Sequence, residues 1–416
     1  MKEVIKLKQQ TPMWHFQHDE SGCCLRATEV KPKLDKFLLE KEPGLKKFIF
    51  AGNALEYKLS FVAPKPKDQV MSNNTPLFFG NMGDWRNQKQ LIFYTAPIGM
   101  HIFSFHDELI KTIKKHLCEF FGTHSFGTRQ DKGFGFFFPE DKELPQSEFS
   151  NPFGAQYMFT LPTTDYDSIF NHIYYFHKLI RSGINEKNVY YKSLMYFYAK
   201  DNKLQWDKPI IRHKFQLYTD VYKSICGIEP YIGNNTYKNK GNEYIHRKEM
   251  AEEYQECKSS KNKPQWLFRD ALGLSSIQRW KDYNDTIKIA AINKEEDKEN
   301  KNKSFTRFKS PITYRPAIIG NKCIVYIHLD SRPIEDLKKQ RFKITSTKNR
   351  ETNIYGIKVF DKFTLENYFA YIENRYKNLV GNKGLSITGE KMNYKNKEIE
   401  EIFKPFKGDN ANFRKV

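Results

Sequence analysis

The chain has 416 residues, with 69 Lys or Arg against 49 Asp or Glu, a net charge of +20 and an aromatic content of 15%. This length excludes a small scaffold that needs disulfides or metals to fold, and it gives room for about two or three domains. Six cysteines without a CxxC pair, no apolar run of the ~18–20 residues that span a bilayer, and no signal-peptide core predict a cytoplasmic protein without a membrane partner.

The excess of cations occurs together with many aromatic rings. This combination favours a polyanionic partner whose bases can stack, which is single-stranded nucleic acid rather than an anionic membrane. The alternative is a soluble protein whose composition is simply rich in lysine.

The amino-terminal part predicts strands and helices in alternation. EVIKLKQ predicts a strand, and CCLRATEVKPKLDKFLLEK predicts a helix, because Leu34, Phe37 and Leu38 recur at helical spacing. Thr28 lies near the capping position of that helix and Pro32 suits its first turn. EYKLSFVAP and QLIFYTAPIGMHIFSF predict further strands, and residues 107–121 predict a second helix. The pattern indicates a ferredoxin-like α+β domain.

A glycine-rich stretch, FGTHSFGTRQDKGFGFFF at 121–138, follows the second helix. It lacks the endings of a phosphate-gripping or dinucleotide-binding loop, and its last part, GFGFFF, predicts a strand. Arg129 and Lys132 could neutralise phosphates while the glycines let backbone amides approach an RNA chain. The alternative is a tight turn with ordinary solvated cations. Phe134, Phe136 and Phe137 alternate between the two faces of this strand, so we expect at least one ring to lie in the core and another to be available to stack on a base, although the core is the better expectation for any single ring.

The second half repeats the pattern. AQYMFTL predicts a strand, TTDYDSIFNHIYYFHKLI a helix opened by Thr or Asp, the segment ending in IVYIHLD a strand pair, and FTLENYFAYIENRY a helix. Residues near 236–264 and 291–304 are charged and predict solvated insertions. The predicted fold is therefore α+β, with two ferredoxin-like (RRM-like) domains in tandem, at 1–148 and 149–416.

Three ordered segments carry a resemblance to a known family. The glycine loop resembles that of the RAMP proteins of CRISPR effector complexes, and most that of subunit one of the type III-B, or Cmr, complex. TPMW followed by LRATEVK resembles the family's strand-turn-helix entry, and RFKSPITYRP resembles its later basic segment. Pro32 stands where the family usually has a small residue, and the two insertions have no counterpart in it.

The resemblance implies two ferredoxin-like domains in a non-catalytic, RNA-binding subunit of an antiviral ribonucleoprotein. The residue patterns themselves indicate no metal and no cofactor. Its implied partners are the CRISPR RNA, near its 3′ region, the target RNA, and the other Cmr subunits. The predicted RNA-binding residues, which include basic neighbours of the family positions, are Arg26, Lys31, Lys33, Lys36, Gly122, Gly127, Arg129, Lys132, Gly133, Gly135, Arg307, Lys309 and Arg315.

Two other functions fit the residues. A metal-independent RAMP endoribonuclease that processes CRISPR RNA would need a general base and acid, for which His15, His124 and Tyr314 are the candidates. A protein scaffold would instead present the basic surface to acidic partner subunits. His15 and His18 with Cys23 and Cys24 do not have the spacing of a familiar zinc site.

Overall fold

The computed structural model describes residues 1–14, 25–64, 91–142, 144, 154–186, 189–204, 206–216, 226, 251–252, 254–255, 269–273, 277–280, 285–292, 310–338, 341–347, 352–355, 363–380 and 413–416. Within them the chain is an α+β protein whose paired strands run antiparallel.

The helices and strands follow one another along most of the described chain. The helices are α1 Ala27–Lys41, α2 Asp107–Thr123, α3 Tyr166–Arg181, α4 Leu194–Asp201, α5 Asp207–Lys214, α6 Arg332–Lys338 and α7 Leu365–Val380. The strands are β1 Lys2–Gln9, β2 Ile49–Ala51, β3 Ala54–Leu55, β4 Lys58–Val62, β5 Ile98–Phe103, β6 Phe137–Pro139, β7 Tyr157–Leu161, β8 Ile184–Glu186, β9 Val189–Tyr191, β10 Ile277–Trp280, β11 Asp285–Ile292, β12 Ile312–Ile319, β13 Lys322–Leu329, β14 Arg341–Ser346, β15 Thr352–Tyr355 and β16 Arg414–Lys415.

The first sheet has the strand order β4-β5-β1-β6. Its elements appear along the chain as β1, α1, β4, β5, α2 and β6, a strand-helix-strand-strand-helix-strand order with the short pair β2 and β3 before β4. One side of β1 and β5 is apolar, and Leu7, Ile98, Met100 and Ile102 are fully buried there. This core includes residues from α1 and α2, such as Leu34 and Ile113, because both helices are apolar along one stripe.

The second four-stranded sheet repeats this arrangement. Its strand order is β12-β13-β7-β16, and its elements appear along the chain as β7, α3, β12, β13, α7 and β16. Position for position, the strand order is the same as in the first sheet. The strands β12 and β13 form a hairpin whose register runs from Ile312 opposite Leu329 to Ile319 opposite Lys322.

The chain forms two compact units, and neither follows the predicted division at residue 148. The first unit contains Met1–His177, Ile312–Leu329 and Glu373–Val416, and the second contains Lys178–Pro311 and Asp330–Ile372. The first unit extends past residue 148 because Met158, Ala317, Ile324 and Tyr326 of the second sheet belong to the same buried cluster as Leu7.

The second unit has its own sheet, with the order β10-β11-β14-β15. The buried Asp285 at the start of β11 accepts hydrogen bonds from the hydroxyls of Ser346 at 2.6 Å and Thr347 at 3.0 Å, which joins β11 to the end of β14. An aromatic cluster forms around Tyr198 of α4, whose ring meets those of Phe363 and Tyr368 edge to face.

Most predicted elements are present, and three details differ. Helix α1 begins at Ala27, so Arg26 is its capping residue and Pro32 lies in its second turn rather than its first. Gly122 lies inside α2 rather than in the loop, because the apolar spacing continues through Phe121 and the Thr123 hydroxyl donates back to Glu119. Strand β6 has only three residues, because the positive φ angles of Gly133 and Gly135 interrupt an extended run.

Helix α3 opens as predicted from Asp165, whose carboxylate accepts a hydrogen bond from the amide of Ser168 at 2.8 Å. No described helix is long and apolar enough to cross a membrane. Within the same residues Cys118, Cys226 and Cys323 are free thiols. Nearly all of the predicted insertions lie outside the described residues. So do six residues named from the sequence: Arg307, Lys309, His15, His18, Cys23 and Cys24.

Candidate nucleic-acid interface

The loop between α2 and β6, residues 124–136, packs against the segment that follows β1. The Thr11 hydroxyl donates to the carbonyl of Gly133 at 2.7 Å and accepts from the amide of Phe136 at 2.9 Å. Trp14 forms a bridge with Thr128, and the amide of Gly135 donates to the carbonyl of Pro12 at 2.8 Å. The segment TPMW therefore determines the path of the loop.

Two glycines permit close backbone approaches inside this loop. Gly135 has φ +68°, and a Cβ atom there would lie 1.8 Å from the carbonyl oxygen of Phe126, whose amide in turn donates to the Gly135 carbonyl at 2.9 Å. Gly133 has φ +97°, and its Cβ would lie 2.8 Å from Cδ of Pro316. Side chains at either position would be strained, so these glycines serve geometry as well as any ligand contact.

Helix α1 contacts the loop through Glu29 and Lys33, which lie one helical turn apart and form an ion pair. Both carboxylate oxygens of Glu29 accept hydrogen bonds from the amide of Gly127, at 3.0 and 3.2 Å. Lys33 donates to Glu29 at 3.0 Å, to Gln130 at 2.9 Å and to the carbonyl of Ser125 at 3.3 Å. The Lys33 side chain is 28% exposed, so most of its hydrogen-bonding capacity serves the loop.

The predicted cations of α1 separate onto two faces. Arg26, Lys33 and Lys36 are three or four residues from Glu29 or from one another, so they share the face that contacts the loop. Arg26 is exposed, and Lys36 is 74% exposed with its ammonium 3.9 Å from Glu40. Lys31 lies on the other side, where it donates to Asp35 at 2.7 Å and to the carbonyl of Leu55 at 2.9 Å.

The two cations of the loop differ in exposure. Arg129 is half-buried and has the left-handed φ of +58°. Lys132 is 7% exposed, pairs with Asp131 at 2.9 Å, and lies 5.7 Å from the centre of the Tyr314 ring. Arg129 is therefore the more exposed of the two cations, while Lys132 contributes to packing in this structure.

Arg315 of β12 is fully buried beneath the loop. Its guanidinium donates to the Ser125 hydroxyl at 3.0 Å and lies 5.1 Å from the centre of the Phe136 ring. Burial lowers the pKa of Arg315 to about 9, which still leaves it charged at neutral pH. Burial, and then the charge of Arg315, lower the pKa of His328 to about 3, so that imidazole is neutral.

The aromatic rings at the end of the loop and the start of β6 are all in the core. Phe134, Phe136 and Phe137 are at most 1% exposed, and the Phe134 ring stacks on Phe170 with centroids 3.9 Å apart. The expectation that one of them is free to stack on a base is therefore wrong. They are buried because the turn at Gly133 and Gly135 directs the segment into unit one rather than along an exposed strand edge.

The candidate catalytic residues do not come together in the described part of the chain. His124 stacks on Phe120 with centroids 4.6 Å apart and bonds through Nδ1 to the carbonyl of that residue. Tyr314 is fully buried and shares a hydrogen bond of 3.1 Å with Nδ1 of His177. Among the described residues, no group of three His, Cys, Asp or Glu side chains could bind a metal ion.

Sequence reasoning missed Thr11 and Glu29, which organise the loop. Thr11 stands in the TPMW segment, and its position in the sequence gives no sign of a contact with the loop. Glu29 is one of several carboxylates in α1, and in the sequence only its spacing of four residues from Lys33 indicates an ion pair.

Two family models cover nearly all of the sequence. The model described as the Cmr1 N-terminal domain matches residues 1–184, and the model described as the Cmr1 C-terminal domain matches residues 190–396. A search of curated proteins found no match.

Two solved structures are similar to this chain. A cryo-EM structure of the Type III-B Cmr-beta bound to cognate target RNA contains a chain that is 12% identical, with a TM-score of 0.25. The match covers 34% of this chain and 59% of that one, so it spans less than two thirds of the relative. The crystal structure of Cmr1 from Pyrococcus furiosus in its apo form is 10% identical, with a TM-score of 0.35, and the match covers 90% of this chain and 97% of that one.

Proposed function

The chain belongs to the Cmr1 family of RAMP proteins, and from that membership we propose that it is an RNA-binding subunit of a type III-B Cmr CRISPR effector complex. Its proposed ligands are the CRISPR RNA, in its 3′ region, and the target RNA, and its proposed partners are the other Cmr subunits. The free thiols and the large positive charge are compatible with a cytoplasmic ribonucleoprotein acting in antiviral defence.

We propose that each four-stranded sheet of unit one is the sheet of a ferredoxin-like domain. Both sheets use the same element order and the same strand order, with the first strand paired to the third and the fourth. The second domain would then be interrupted twice, between α3 and β12 and between β13 and α7. These interruptions contain most of unit two.

The observation that supports the proposed RNA contact is the surface formed by α1 and the glycine loop. We call this the loop surface and define it by Arg26, Lys36 and Arg129. Glu29 and Lys33 hold the loop against α1, so the three cations are presented by a preorganised backbone. Their side chains would neutralise phosphates without reading base identity, which predicts binding with little sequence preference.

The test is the salt dependence of binding to single-stranded RNA, measured by fluorescence anisotropy on the full chain. Log affinity should fall with log salt at about −0.7 per phosphate contacted. Arg129→Ala with Lys36→Ala should weaken binding of all sequences similarly and make the slope shallower by about two phosphates. The matched control is Lys111→Ala, which removes an exposed cation from α2 and should leave the slope nearly unchanged.

Two further variants test whether residues of the loop region maintain its conformation rather than contact RNA. Lys33→Met should lower stability by about 1 kcal/mol, since it removes three hydrogen bonds to the loop from a partly exposed cation. Gly133→Val should lower the unfolding free energy further, because its branched side chain would clash with Pro316 and would have to adopt a positive φ. Urea denaturation measures both effects. Unchanged RNA affinity and slope in the folded Arg129→Ala, Lys36→Ala protein would show that the loop is only a turn.

We further propose that the subunit is not catalytic. Two observations support this proposal: His124 is stacked on Phe120 at the end of α2, and Tyr314 is fully buried. Incubation with CRISPR-repeat RNA, with and without divalent metal, should give no specific product. Cleavage that is abolished by His124→Ala or His15→Ala would establish the endoribonuclease function instead.

A further inference from the structure

The outer face of the first sheet is open to solvent along β4, β5 and β1. Alternate residues of these strands are exposed or half-exposed, while the residues between them face the core. The register places these outward residues in three rows, each read from β1 through β5 to β4. We call these nine positions the open face. The rows are Lys2, Phe103 and Lys58; Val4, His101 and Ser60; and Lys6, Gly99 and Val62.

The first row places an exposed aromatic ring between two lysines on adjacent strands. Phe103 is 37% exposed, and its ring meets that of Phe105 edge to face with centroids 5.1 Å apart. Phe105, which follows the strand, is 87% exposed. Two solvent-accessible rings in contact, with a cation on either side, are unusual on a surface that meets only water.

The second and third rows present an imidazole and two exposed valines. A Cβ atom on Gly99 would lie 3.2 Å from Nε2 of His101, so the imidazole leans over the space that this glycine leaves empty. Val4 and Val62 are 51% and 58% exposed beside it. The middle of the open face is therefore an imidazole over a glycine, and three of the four corner positions are lysine.

The charge of the open face favours a polyanion over a protein partner. Three of its nine positions are lysine and none is acidic, whereas the cores of protein interfaces are depleted of lysine. Two carboxylates lie at its edges: Glu140 is 4.0 Å from Lys6, and Glu56 pairs with His106 at 2.7 Å. Lys6 is 72% exposed, so its ion pair with Glu140 is weak and easily exchanged for a phosphate.

We propose that the open face is a second site for single-stranded RNA, at which two or three bases stack on Phe103, Phe105 and His101 while Lys2, Lys6 and Lys58 contact the phosphates. Four-stranded sheets of this kind present aromatic residues to unpaired bases, and stacking tolerates any base sequence. The inference rests on the proposed function for the identity of the nucleic acid, but it uses residues separate from the loop surface.

The test compares two fluorescent probes of equal length on the full chain: oligouridine and a ribose-phosphate strand without bases. Phe103→Ala with Phe105→Ala should weaken oligouridine binding about tenfold, since one stacked base contributes ~1–3 kcal/mol, and should leave the abasic strand unchanged. The control is Phe50→Ala on β2, because Phe50 is an exposed ring, at 79% exposure, outside the open face. Lys2→Ala with Lys58→Ala should instead weaken both probes and make the salt slope shallower.

A second measurement does not depend on the alanine variants. Oligouridine should quench the added fluorescence of Phe105→Trp and leave that of Phe50→Trp unchanged. The inference is overturned if the folded Phe103→Ala, Phe105→Ala protein binds oligouridine like the parent, or if it only loses assembly with partner subunits, which would make the face a protein contact. A parent chain that binds neither probe refutes both this site and the proposed RNA function, whereas loss of the open-face effect alone leaves the loop surface standing.

Discussion

At the scale of single residues, Gly135 is the position where the loop tolerates least change. Its φ is +68°, and an added Cβ would lie 1.8 Å from a backbone oxygen that cannot move independently of the chain. We expect Gly135→Ala to lower the unfolding free energy by about 2–4 kcal/mol, as measured by urea denaturation. Gly44→Ala is the matched control, since nothing lies within 4 Å of its Cβ position, and it should leave the midpoint almost unchanged.

The neutral His328 beside the buried Arg315 makes stability depend on pH. Its pKa is about 3 in the folded chain, against an ordinary value of ~6.5. Between these values the unfolded chain binds a proton that the folded chain does not, so the unfolding free energy falls as the pH falls from ~6.5 towards 3. Burial lowers the pKa of His172 as well, and that residue contributes in the same direction.

Replacing the titrating group should flatten this dependence. We expect His328→Gln to lose about 2 kcal/mol less stability than the parent between pH 7 and pH 5, as measured by urea denaturation at both pH values. His172 and the carboxylates are the same in both proteins, so the difference isolates His328. Parallel pH profiles would contradict the assignment of a strongly lowered pKa to this imidazole.

At the scale of elements, Pro32 is the residue of α1 that least suits a helix. It is the sixth residue of α1 and is exposed, and it has no N–H to donate to the carbonyl of Thr28. We expect Pro32→Ala to raise the unfolding free energy by about 0.5–1 kcal/mol, because it restores a hydrogen bond without removing a packed side chain. A lower urea midpoint would mean that the ring contributes contacts or restrains the unfolded chain more than it disturbs α1.

Local patterns predict the longer elements but not the length of β6. The helices α2 and α7 and the hairpin β12–β13 were predicted, since apolar spacing along a few turns is a local property. The strand predicted for GFGFFF shortened to β6, because the path of that segment depends on Thr11 and Pro316, which are distant in sequence.

At the scale of the whole molecule, the first sheet depends on residues far beyond the predicted boundary at 148. Phe134 stacks on Phe170, Gly133 lies against Pro316, and Tyr326 shares a buried cluster with Leu7. We expect the fragment 1–148 to bind the dye ANS and to unfold over a broad urea range, because it exposes this apolar surface. The full chain is the control, and a sharp, cooperative transition of the fragment without dye binding would contradict the shared core.

The sequence alone was sufficient for the α+β class, the main helices and strands, and the family resemblance, all of which depend on short patterns or on composition. It also named the cations, but it could not say which of them face solvent. Arg315 and Ser125 are 190 residues apart and meet only in the folded chain, and the same folding buries Lys132 and leaves Lys36 exposed. The open face could not be predicted from the sequence for the same reason. Phe103, Lys2 and Lys58 become neighbours only through antiparallel register, which no local pattern contains.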